Sequence, residues 1–185
     1  WKTIDEDQKV ILCERLGLVV ADLHGVGVPS AGDSVAWNAF IDQQVKGCLE
    51  QQRRHGLRDE LLAQIPGFIA PALDSIKAAP PVFLHTELML EHVLVDPERL
   101  TITGLIDFEP SMRGAAEYDF GAVVVFIAQA QPTPMRAFLR GYGYDWNRAD
   151  ISTARLMMSL TLLHRYSRLT WYLDRLEGER GREIV

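Results

Sequence analysis

Residues 82–121 read VFLHTELMLEHVLVDPERLTITGLIDFEPSMRGAAEYDFG. Three short apolar runs rich in β-branched residues, Val82–Leu84, Val93–Val95 and Leu100–Phe108, are separated by polar and turn residues, the texture of short strands. Asp96-Pro97-Glu98-Arg99 supplies the turn of a hairpin between the second and third runs. His85 and Glu87 follow the first run, His92 precedes the second, Asp107 ends the third, and Asp119 opens a helix. Polar groups at strand ends and loop mouths are held out by a rigid scaffold, so this order points to a site.

On both sides of this stretch the apolar residues recur at helical spacing. Residues 5–24 place Val10, Ile11, Leu12, Leu16, Val19, Val20 and Leu23 on one wide apolar face, with Asp5, Glu6 and Asp7 suited to the positive helix N-terminus. Gly25, Gly27 and Pro29 stop that helix, and residues 31–33 read as loop. A second helix is expected from Ser34 to His55, with Gly56 as terminator. Shorter helices follow over 58–64 and 68–78, divided by Pro66 and Gly67 and ended by Pro80 and Pro81. Beyond the insert, helices are expected over 119–130, 133–142 and 149–176, the last with a core stripe of Leu156, Leu160, Leu163, Tyr166 and Leu169. The expectation is therefore α+β and mainly α, with a small β insert between residues 82 and 108.

The ordered elements of 82–121 resemble those of the aminoglycoside phosphotransferases and related small-molecule kinases. That family's loop reads His-Gly-Asp, four residues, then Asn, followed by a strand, Ile-Asp-Phe or Ile-Asp-Trp, and a Tyr-Asp pair opening a helix. This chain has His85-Thr86-Glu87, then Leu88 to Glu91, then His92, then Ile106-Asp107-Phe108 and Tyr118-Asp119. Leu16-Gly17-Leu18 through Ala21-Asp22-Leu23-His24 looks like the first helix of the family's C-terminal lobe. The resemblance covers nearly the whole chain. It implies that residues 1–185 are the C-terminal lobe of a protein-kinase-like fold, carrying catalytic and substrate-binding segments. An N-terminal nucleotide-binding lobe would precede it and is absent from this chain, which begins at Trp1 almost directly in a helix.

The implied function is ATP-dependent transfer of a phosphoryl group to a hydroxyl of a small molecule, an aminoglycoside among the acceptors, with Mg²⁺ or Mn²⁺. Glu87 stands where the family has its catalytic Asp, His92 where it has a metal-binding Asn, and Thr86 where it has Gly; Asp107 is the family's second metal-binding Asp. His85 is expected with Glu87 as a catalytic residue, its part in the family being to organise the loop, and Asp107 and His92 are the expected cofactor and metal ligands. Phosphoryl transfer depends on positioning and charge neutralisation. A carboxylate at Glu87 could take the acceptor's proton or serve only as a structural carboxylate. Mg²⁺ takes oxygen ligands, which Asp107 supplies; the His92 nitrogen better suits Mn²⁺ or Zn²⁺. The plainer reading of His92 is a hydrogen-bonding loop residue. Asp119 caps its helix and braces the catalytic loop. Glu91 reads as a solvated charge, Glu109 as close enough to reach a metal or substrate, and His24, His55 and His164 as satisfied helix residues.

The rival reading is a catalytically degenerate kinase-like module that binds a ligand or partner, favoured by the changes at Glu87 and His92. Zinc-hydrolase patterns fail at a required ligand: His-x-x-Glu-His would need His where Leu88 stands, and no Pro-Cys-x-x-Cys follows His85-x-Glu87. The 185 residues carry a formal net charge of −6, with few basic clusters to meet nucleic-acid phosphates. Cys13 and Cys48 lie in apolar helical patterns and read as reduced core residues. The longest apolar run, Gly121–Ala130, is too short to span a bilayer. No signal peptide is visible, so a cytoplasmic protein without nucleic-acid or membrane partners is expected.

Overall fold

The computed structural model describes residues 1, 4–27, 30–144 and 151–180. Helices dominate, as expected. Helix α1 spans Glu6–His24, and Asp5 and Gln8 close a reciprocal capping box at its start (2.8 and 3.0 Å). Helix α2 spans Ala31–Arg54, so the expected loop at 31–33 is already helical. The Ser30 N–H donates to the Asp33 carboxylate at 2.6 Å, which secures that first turn. Helices α3 (Asp59–Leu62), α4 (Ile65–Ile69) and α5 (Leu73–Ala78) follow. Pro66 sits in the first turn of α4 instead of breaking a helix, because its missing N–H has no partner there anyway.

The β insert is two separate antiparallel pairs. Strand β2 (Val93–Asp96) pairs with β3 (Thr101–Leu105), as the hairpin reading required. Asp96 accepts the Glu98 and Arg99 N–H groups and so forms the turn. Strand β1 (Val82–Leu84) pairs with β4 (Met112–Gly114), which extends the insert beyond residue 108. The third run ends as a strand at Leu105, not Phe108, and Asp107 takes a φ of 69°.

Helix α6 (Glu117–Ala122) is followed by a wider π segment, Val123–Ile127, in place of one helix over 119–130. Helix α7 (Pro132–Tyr142) and helix α8 (Ile151–Leu162) come next, then α9 (Leu169–Arg180). The expected helix 149–176 is thus broken at residues 163–168, and its first two residues lie outside the described chain. No helix among the described residues is long and apolar enough to cross a membrane.

Two apolar clusters form the core. One joins α2, α3–α5, α8 and α9 around Trp37, Ile41, Ile76, Leu84 and Leu160. The other joins α1 and α7 around Leu16, Val20, Phe120, Phe138 and Leu139. Gly17 of α1 and Gly141 of α7 let these two backbones meet, since a Cβ on either would overlap the other helix's main chain. Helix α6 divides the clusters. Successive helical side chains diverge by about 100°, so Tyr118 enters the first cluster, Phe120 enters the second, and Asp119 points between them.

Candidate active site

The loop after β1 is anchored on Asp119. This carboxylate is fully buried and accepts the backbone N–H of His85 at 2.9 Å and of Thr86 at 2.7 Å. It also meets His24 Nε2 at 3.0 Å, while His24 Nδ1 lies 3.0 Å from the Tyr142 hydroxyl. Asp119 is the third residue of α6, whose cap is Ala116, so it is not the helix cap expected from the sequence. Its position inside the first turn aims it at the loop. Thr86 has a φ of 71°, a left-handed conformation that is costly for a β-branched residue. Its Oγ1 donates to the Pro110 carbonyl at 3.2 Å and helps hold it there.

His85 is fully buried and both its ring nitrogens are engaged. Nε2–H donates to the Ile106 carbonyl at 2.8 Å, so Nδ1 is the acceptor, and it receives the Glu87 N–H at 3.2 Å. His85 therefore ties the Glu87 loop to the segment leading into Asp107. It positions both and cannot itself face a substrate.

Glu87, His92 and Asp107 come together at the mouth of this loop. One ligand atom from each lies within 4.8 Å of the others. His92 Nδ1–H donates to the Glu87 carbonyl at 2.8 Å, and Nε2 faces Asp107 Oδ2 at 3.3 Å. The plain hydrogen-bonding part foreseen for His92 is present, and the other nitrogen is presented to the carboxylate. An open cleft of about 400 Å³ adjoins this group, lined by Glu87, Asp107, Glu109, Pro110, Arg165 and Tyr166. Glu91 is exposed on the surface, a solvated charge.

Arg165 and Tyr166 reach the cleft because of the break between α8 and α9. His164 Nε2–H donates to the Thr86 carbonyl at 2.7 Å, and the Arg165 N–H donates to the Tyr118 hydroxyl at 3.0 Å. The Arg165 guanidinium lies over Phe40, 5.3 Å from the ring centre. Burial, then the adjacent Glu87 carboxylate, raises the Tyr166 hydroxyl above the usual phenol range. Tyr166 is exposed in the cleft and does not join the core stripe expected for it. His164 sits in a turn, not in a helix, and His55 is the exposed cap of α2. None of these cleft contributions carries a sequence signal, since residues 163–168 contain no Gly or Pro.

His164 makes the loop's anchorage pH-sensitive. Burial pushes its pKa down to about 4 from 6.5, against the opposing pull of the Thr86 carbonyl and Asp119. Between those values the unfolded chain binds a proton on this ring that the native chain does not. The native state is therefore favoured fully above about pH 6.5 and loses that advantage as pH falls through 4, on the order of 3 kcal/mol in all. Urea unfolding at about pH 7 and about pH 5 measures it. His164→Gln keeps a donor for Thr86 and should flatten this part of the profile; identical profiles for both proteins would remove His164 as the cause.

The order of these parts also matches known proteins. A model of the phosphotransferase enzyme family matches residues 2–151. The chain belongs to that family. Among solved structures, the GDP and kanamycin complex of APH(2")-IIia aligns with a TM-score of 0.64 at 19% identity, covering 98% of this chain and 59% of the other. An aminoglycoside-3'-phosphotransferase of type VIII aligns with a TM-score of 0.60 at 23% identity, over 86% of this chain and 62% of the other. The streptomycin–ATP ternary complex of APH(2")-IIa aligns with a TM-score of 0.52 at 15% identity, over 96% and 64%. These likenesses establish the fold, mainly helical with two small β pairs, as that of the family. The chain spans about 60% of the length of these phosphotransferases.

Proposed function

We propose that the protein transfers a phosphoryl group from ATP to a hydroxyl of a small molecule, and that aminoglycosides are the acceptors to test first. The observation that carries this is the meeting of Glu87, His92 and Asp107 at the mouth of an open cleft, on a loop braced from beneath by Asp119. Family membership and the nucleotide complexes of structural neighbours support the donor, and their kanamycin and streptomycin complexes support the acceptor class. In this reading residues 1–185 are the catalytic and acceptor-binding lobe, and an N-terminal lobe completes the nucleotide site.

Two carboxylates and an imidazole suit a divalent ion placed beside the nucleotide's phosphates. Asp107 and His92 would hold it, and it would offset phosphate charge during transfer. Glu87 accepts the acceptor's O–H and takes its proton as the new bond to the γ-phosphorus forms and the bond to the departing ADP oxygen breaks. Tyr166 lies beside Glu87 on the wall of the same cleft. Beyond the groups that hold the ion, Glu109 offers the cleft a carboxylate for an amine-bearing acceptor, and Arg165 also lines it.

Glu87→Gln tests the assignment. It should lower kcat by about a hundredfold to ten-thousandfold with little change in the acceptor KM, because a general base acts in the transition state. Glu87→Asp should keep kcat within about tenfold of the parent, since it retains a base one methylene shorter. Steady-state kinetics with a panel of aminoglycosides and other hydroxylated compounds is the measurement. No transfer by the parent, with ligand affinity untouched by Glu87→Gln, would leave the non-catalytic binding module as the better account.

A further inference from the structure

The donors at the cleft mouth differ in kind from an all-oxygen magnesium site. They are one imidazole nitrogen and two carboxylates, and one atom of each lies within 4.8 Å of the others. The imidazole is already aimed. Its Nδ1–H is taken up by the Glu87 carbonyl at 2.8 Å, so Nε2 is the nitrogen turned to Asp107 Oδ2, 3.3 Å away, where a metal ion would take the place of a proton. A ring fixed in this way through its other nitrogen has the orientation of a metal-ligating histidine. The same hydrogen bond joins His92 to the backbone of Glu87, so two of the three donors are placed by one contact.

The chemistry of the set selects the ion. Mg²⁺ dehydrates reluctantly, takes oxygen ligands, and relies on substrate phosphates to stay bound. Imidazole with carboxylate suits Mn²⁺, Co²⁺ and Zn²⁺, and affinity for a nitrogen-containing site rises along the first row. A carboxylate has two oxygens, so coordination through one leaves the other available to an acceptor hydroxyl. We infer that Glu87, His92 and Asp107 form a three-residue site for a first-row transition-metal dication that fills without nucleotide, with Glu87 as a ligand in its own right. The inference concerns the same cleft as the phosphotransfer reading. It is measured without nucleotide or acceptor, so either can fail while the other stands.

The experiment is calorimetric titration of the tag-free, chelator-treated chain with Mn²⁺, Zn²⁺ and Mg²⁺, each without nucleotide. One equivalent of Mn²⁺ or Zn²⁺ should bind at least about tenfold more tightly than Mg²⁺. Glu87→Gln and His92→Asn should each weaken that binding by about tenfold to a hundredfold, and His92→Asn should also narrow the gap between Mn²⁺ and Mg²⁺. Circular dichroism checks that each variant is folded. Pulsed EPR of the Mn²⁺-loaded parent needs no variant and should show coupling to one histidine nitrogen. Equal, weak binding of all three ions overturns the inference, as does an Mn²⁺ signal without nitrogen coupling. Unchanged affinity in Glu87→Gln removes Glu87 from the site. Unchanged affinity in His92→Asn shows that His92 and Asp107 are an ion pair and nothing more.

Discussion

Asp107→Asn should reduce kcat/KM for phosphoryl transfer by more than about a hundredfold, the scale seen when one charge-stabilising group is removed from an active site. The substitution is well suited to the question. Asp107 has a φ of 69°, and Asn is the residue that best shares this conformation with Asp. The backbone should therefore stay in place while the charge disappears. The side chain is about half exposed, so little folding energy depends on it, and the thermal midpoint should barely move. An alanine would confuse the result, because it removes the charge and strains the turn together. Kinetics of the full-length polypeptide with ATP, a divalent ion and an accepting aminoglycoside supply the comparison. Activity within about tenfold of the parent would mean that phosphate charge is neutralised elsewhere.

The second large effect is on stability. Asp119→Ala should cost about 3–5 kcal/mol, because it leaves a buried imidazole and two buried backbone amides without their acceptor. For a chain of this size that lowers the thermal midpoint by roughly 10 °C. Asp119→Asn should cost less, since one oxygen remains to accept, though its amide would face donors. Urea unfolding of both variants, followed by circular dichroism, is the measurement. A loss below about 1 kcal/mol in Asp119→Ala would show that the His85–Glu87 loop is held by other contacts.

The sequence was most legible where function sets spacing. The order of His85, Glu87, His92, Asp107 and Asp119, which resembles the phosphotransferase loop, was enough to anticipate that these residues share a site. The hairpin was also readable, since Asp96 and Pro97 carry local turn chemistry. What escaped depends on partners far along the chain. Strand β4 has three residues and no pattern of its own; it exists because Val82–Leu84 lies beside it. The break after Leu162 has no glycine or proline to announce it. It is made by contacts to Thr86, Tyr118 and Gln52, at separations from about 50 to more than 110 residues. Arg165 and Tyr166 therefore read as helix residues, although the fold delivers them to the cleft. His24 was readable as a satisfied helix histidine, but nothing local says that its partner is Asp119.

The close crossing of α1 and α7 also bears on how the chain is made. The α1 face built on Leu12, Leu16 and Val20 packs against a helix that begins at Pro132. More than a hundred residues separate the end of one from the start of the other. At ribosomal rates of roughly 5–20 residues per second, α1 waits on the order of 5–20 s for that partner. During this interval its apolar stripe is open to chaperones and to other nascent chains. Such long-range pairing slows folding relative to a bundle of sequential neighbours. Helix α1 is thus among the later of these elements to find its place, and its stripe is exposed to aggregation until α7 has left the ribosome.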